Sequence, residues 1–146
     1  MGRYDNYNLG KTPQYGVGLG NVASYQVSGR PYVSGGIDVS TATAGGVPLE
    51  IAFPSVTRWI VVTNHDTTAD GDVKVAFSEL GFDTNNYFTV SRDANDYGDT
   101  MTARLEMKVT HLYLTGTCDN CDIIAGLTGI STNEINSNWS GSAGIG

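Results

Sequence analysis

From residue 47 to residue 130, apolar side chains recur at every second position in short runs separated by turn residues, the period of half-buried antiparallel strands. Val47, Leu49, Ile51 and Phe53 share one face, with Pro48, Glu50 and Ala52 on the other. Residues 56–64 (Val-Thr-Arg-Trp-Ile-Val-Val-Thr-Asn) are apolar on both faces at their centre, which predicts a central strand covered on both sides. A polar turn at 67–72 follows. Val73, Val75 and Phe77 then alternate with Lys74, Ala76 and Ser78, and a loop at 81–86 leads to a further strand over 87–91.

The longest patterned run, residues 101–116, changes phase partway. Ala103, Leu105, Met107 and Val109 lie opposite Arg104, Glu106, Lys108 and Thr110, but the apolar parity then moves to Leu112 and Leu114. A single regular strand cannot do this. Either a bulge falls between Val109 and Leu112, or two strands of opposite sheets meet there at a sharp bend. The last core strand is predicted over 122–130. About eight strands with short links and no amphipathic helix predict an all-β, antiparallel two-sheet sandwich, jelly-roll-like, with an extended N-terminal arm. An immunoglobulin-like sandwich would want a Cys, Trp, Cys spacing, whereas Cys118 and Cys121 sit three apart. The predicted core is Ile51, Phe53, Trp59, Val61, Val75, Phe77, Leu105, Met107, Leu112, Leu114, Ile124 and Leu127.

Composition adds the ends of the chain. The 146 residues fit one domain, read as an arm over 1–36, a sandwich over 37–130 and a Gly/Ser-rich tail over 131–146. The arm is short of aliphatics yet carries Tyr4, Tyr7, Tyr15, Tyr25 and Tyr32, five of the eight tyrosines. Such a segment cannot build a private core, but it offers more contact area than a solvated linker needs. It reads either as an arm that orders against a neighbour or as a tail leading into an edge strand, and residues 22–28 are a further candidate for an edge strand. With Trp139, the one large side chain of the tail, these tyrosines are the candidate partner-binding residues.

The net charge of −7, with eight scattered Lys and Arg residues, argues against nucleic acid and against an anionic membrane surface. No window is long and apolar enough for a transmembrane helix, and residues 1–7 lack the apolar stretch of a signal peptide, so synthesis in the cytoplasm is expected.

Candidate chemistry is thin. Cys118-Asp119-Asn120-Cys121 is a CxxC between strand patterns, where only His65 and His111 could complete a zinc set. It reads first as a structural turn, with a disulfide-closed turn and a metal site as alternatives. Asp66, Asp70 and Asp72, and Asp93, Asp96 and Asp99, form two acidic loops without calcium-loop spacing. No nucleophile elbow, phosphate loop or dinucleotide fingerprint is present. The expectation is therefore no enzyme, no cofactor and no metal.

The arm (Tyr15-Gly-Val-Gly-Leu-Gly-Asn-Val-Ala-Ser-Tyr25), residues 56–64 and 73–82, and the runs Tyr87-Phe-Thr-Val-Ser91, Leu105-Glu-Met-Lys-Val-Thr-His-Leu-Tyr-Leu114 and Ala125-Gly-Leu-Thr-Gly-Ile130 together resemble the small β-sandwich structural proteins of tailed bacteriophages. The likeness is particularly to capsid decoration (cement) proteins. It spans roughly residues 15–130 and rests on pattern, without a diagnostic motif. It implies a non-enzymatic virion protein on the capsid exterior that binds the major capsid protein as a homo-oligomer, a trimer in many members. A tail or head-fibre component binding a host surface would use the same sandwich. A carbohydrate-binding module would want exposed aromatics, for which Tyr87, Tyr97, Tyr113 and Trp139 are the candidates.

Overall fold

A computed structural model of the chain describes residues 17–18, 22, 29–67, 71–92 and 99–135. Eight strands form: β1 (Arg30–Ile37), β2 (Leu49–Ala52), β3 (Thr57–Asn64), β4 (Asp72–Ala76), β5 (Tyr87–Ser91), β6 (Thr100–Met101), β7 (His111–Gly116) and β8 (Cys121–Leu127). They make two antiparallel four-stranded sheets, β1-β8-β3-β6 and β2-β7-β4-β5. Strand pairs β1·β8, β2·β7, β3·β6 and β4·β5 nest inside one another. The chain is thus a long hairpin rolled across two sheets, the jelly-roll arrangement.

Among the described residues helix is confined to α1 (Ser40–Gly45) and two short 3-10 turns. Nothing in the apolar pattern of Ser-Thr-Ala-Thr-Ala-Gly announces α1; its ends hold it. The Asp38 carboxylate accepts the Ser40 amide at 2.9 Å, and that amide also reaches the Cys118 carbonyl at 3.2 Å. At the other end Gly46, at φ 72°, returns its own N–H to the Thr43 carbonyl.

The phase change over 101–116 is resolved in favour of two strands in opposite sheets. Met101 of β6 pairs with Thr63 of β3, and Leu105 still bridges Ile60 in that sheet. Past Thr110 the chain enters β7, between β2 and β4 of the second sheet. Thr57 fastens the crossing: its hydroxyl donates towards the Met107 carbonyl at 2.8 Å and accepts the Val109 amide at 3.0 Å.

The core lies between the sheets. Ile60, Val62, Ile123, Ala125 and Leu127 face Val73, Val75, Leu112 and Leu114, with Val39 and Phe53 closing the sides. Three predicted core residues face the other way. In β3 and β8 the inward pairs are Ile60 with Ala125 and Val62 with Ile123, so Trp59 and Val61 turn outward, and Ile124 is 37% exposed. A strand apolar on both faces carries no inside-outside information in its own pattern, and cross-strand register decides it. The expectation that β3 is covered on both sides holds in part: on its outer face Thr63 is buried, while Trp59 and Val61 are half-buried. Phe53, Val75, Leu112, Leu114 and Leu127 are buried as expected, while Ile51, Phe77 and Met107 pack on the core from its margin.

β1 begins within the segment read as the arm. Gly29 already donates its N–H to the Leu127 carbonyl at 3.0 Å, so residues 30–36 belong to the sandwich as its edge strand.

Candidate functional site

Of the candidate contact residues, Tyr32 alone is described; Tyr4, Tyr7, Tyr15, Tyr25 and Trp139 lie outside the described residues. Tyr32 stands on the inner side of β1 and meets Phe53 edge-on, ring centroids 5.0 Å apart. Its ring is thus used within the chain's own core, and it anchors the edge strand there. Further back, Val17 lies against Gly129, and Gly18 against the Glu134 carboxylate.

At one end of the sandwich the loops after β1, β3 and β7 converge with the segment before β6. His65, just past β3, has Asp99 Oδ2 at 2.9 Å from Nδ1 and Asp122 Oδ2 at 2.9 Å from Nε2. A neutral imidazole has one N–H, so only the protonated ring can donate to both carboxylates. The Asp99 hydrogen bond foremost, opposed by partial burial and helped by the charges of Asp99 and Asp122, raises the His65 pKa above its usual value. Asp122 also accepts the Gly36 amide at 2.9 Å. The cluster therefore ties β1, β3 and β8 to the start of β6. Beside it, Asp119 accepts from the Thr67 hydroxyl and amide, which hold its carboxyl below the usual range.

The CxxC forms the β7–β8 turn, as expected. Both cysteines are buried free thiols. The Cys118 thiol lies 3.2 Å from the side-chain oxygen of Asn64, and Asn64 in turn donates to the carbonyls of Gly71 and Val90. Burial pushes the Cys118 thiol up to about 11 and that of Cys121 to about 12. Thiols held this far from ionisation are packing groups, not nucleophiles. Among the described residues, no group of three or more His, Cys, Asp or Glu side chains is arranged to hold a metal ion. Of the two acidic loops, Asp70, Asp93 and Asp96 lie outside the described residues.

His111 sits between the Thr110 hydroxyl, 2.8 Å from Nδ1, and Glu50 Oε1, 3.3 Å from Nε2. This hydroxyl–imidazole–carboxylate line has the composition of a nucleophile with its base. Thr110, however, is only 4% exposed, which leaves no approach for an acyl group. The line joins the crossing to β2.

The outer faces differ in character. On the second sheet Ala76 is flanked by Tyr113 and Tyr87. His111 stacks on Tyr113 at 6.5 Å and Phe82 approaches Tyr87 at 5.8 Å. Desolvation, with Glu50 and Glu79 nearby, raises the Tyr113 pKa. A cavity of about 250 Å³ beside this row is lined by Thr43, Val47, Pro48, Glu79, Phe82 and Thr115. On the first sheet the outer face is apolar: Val33, Ile124 and Val61 form one cross-strand row, and Pro31, Gly126 and Trp59 the next. The alternation along β1 and β8 could have located this face, but only if their register against β3 were known. Comparison with protein-family models, curated proteins and solved structures finds no match for this chain.

Proposed function

We propose that the chain is a non-enzymatic virion structural protein, a decoration protein that binds the major capsid protein on the capsid exterior and reinforces the shell. Copies of the chain would act together, three in many members of the family it resembles. The observation that carries this reading is the junction of the tyrosine-rich segment with the sandwich. That segment continues directly into edge strand β1, which is hydrogen-bonded along β8 and packed through Tyr32 on Phe53. A contact made by the arm would therefore be carried by a chain that enters the sandwich as a paired edge strand. Several copies, each with a weak arm contact, would attach firmly by avidity.

Deleting residues 1–20 tests the reading. The expected product is a folded β protein that no longer binds or reinforces empty capsids. Truncated protein that decorates capsids as tightly as the full chain would move attachment to the sandwich.

A second reading is favoured by Tyr113 and Tyr87 on one sheet face beside the Phe82-lined cavity. Aromatic faces rimmed by carboxylates suit the C–H faces and hydroxyls of sugars. Glycan-array binding abolished by Tyr113→Ala would support a carbohydrate-binding or host-surface role in place of decoration.

A further inference from the structure

We propose that the outer face of the first sheet is a two-fold contact between copies of this chain, two such faces packing with their strands antiparallel. The face presents Val33, Val61, Ile124 and Trp59 side by side, and Val33 is 67% exposed and Ile124 37%. Met101, 62% exposed, adds to it from β6. Single exposed hydrophobics are ordinary, but Val33 and Ile124 are exposed side by side on neighbouring strands and continue into the half-buried Val61 and Trp59 of β3. This is a contiguous apolar face of the kind that another surface covers.

The charges at its two ends specify the occupant. Asp38, Asp99, Asp119 and Asp122, with His65 among them, stand at the end where β3 finishes and β8 begins. At the opposite end, where β3 starts, Arg58, Arg104 and Lys108 gather around Glu106. One end of the face is thus acidic and the other basic, although the whole chain carries −7. A two-fold axis crossing the strands sets each acidic end against the partner's basic end and stacks the apolar rows between them. A parallel stacking would oppose carboxylate to carboxylate. The face is therefore complementary to itself in one orientation, which is what an isologous contact requires.

Its size sets the strength. Strands of 8, 7, 8 and 2 residues spaced about 4.8 Å apart give a footprint of about 400 Å² per copy, below the roughly 800 Å² per partner of a standard stable interface. Association is then concentration-dependent. This contact is independent of the shell-binding reading; combined with a three-fold contact it would give hexamers.

Sedimentation of the full chain from about 1 to 200 μM tests it. The expected result is reversible dimers or larger even-numbered species, weakened by 0.5 M salt because that concentration screens the end-to-end charge pairing. Ile124→Lys and, separately, Val33→Lys should each weaken association about tenfold or more, with the far-UV CD spectrum and melting temperature retained. Both side chains point to solvent, so neither variant disturbs the core. A chain monomeric throughout would overturn the proposal. So would association that tightens with salt, or an oligomer indifferent to both lysines. A monomer that binds capsids until Ile124→Lys is introduced would assign the face to the shell instead.

Discussion

His65 shows how a surface residue acquires a structural role. Its two ring nitrogens face Asp99 and Asp122, with Asp66 adjacent in sequence and Asp119 in the neighbouring turn. A folded-state pKa raised above the unfolded value contributes stability that is fully present below about pH 6.5 and is lost as pH rises through the raised value. The melting temperature should therefore fall as pH rises above about 6.5, and His65→Gln should flatten that slope. A slope unchanged by the substitution would assign it to other groups. Gly116 is governed by backbone geometry. At φ 139° it occupies a region that side chains rarely adopt, and a Cβ there would collide with the Asp72 carbonyl. Gly116→Ala should cost about 2–3 kcal/mol, measurable by denaturant unfolding. The sequence placed both residues at strand ends, but neither the two carboxylates nor the Asp72 carbonyl is near them in the chain.

Between elements, the decisive joint is the passage from β6 to β7. Thr57 is fully buried, and its hydroxyl serves the Met107 carbonyl and the Val109 amide, some fifty residues further along the chain. Thr57→Val keeps the shape and strands those backbone groups in the core, so a loss of about 1–3 kcal/mol is expected in equilibrium unfolding. A loss below half a kcal/mol would show that the crossing is held by packing alone. The parity shift over 101–116 made this joint visible as a discontinuity. What it could not show was which of two remedies the chain adopts, since a bulge and a change of sheet leave the same trace in the alternation. α1 was not legible at all, because a six-residue helix built from small residues and fixed by Asp38 and Gly46 has no apolar stripe.

For the molecule as a whole, the buried CxxC predicts how the fold is kept. Thiols raised to about 11 and about 12 should react slowly with a thiol reagent at pH 8 in the native protein and rapidly once it unfolds. EDTA should leave the melting temperature unchanged, since Cys118 is engaged with Asn64 and the Asn120 carbonyl as part of the core. A drop of many degrees on chelation would contradict this. The alternation of apolar and polar residues by itself determined the existence of most strands, their antiparallel class and the two-sheet closure, because period two is a local property of the backbone. It determined equally that the first part of the chain is tyrosine-rich and poor in aliphatics. Only the tertiary structure decided which face of β3 and β8 is inside, since Trp59, Val61 and Ile124 are as apolar as Ile60, Val62 and Ile123 and nothing but cross-strand register separates them. Only it brought His65 to Asp99 and Asp122 and divided the first sheet's ends into acidic and basic, because charges far apart in sequence become neighbours through the order in which strands pair.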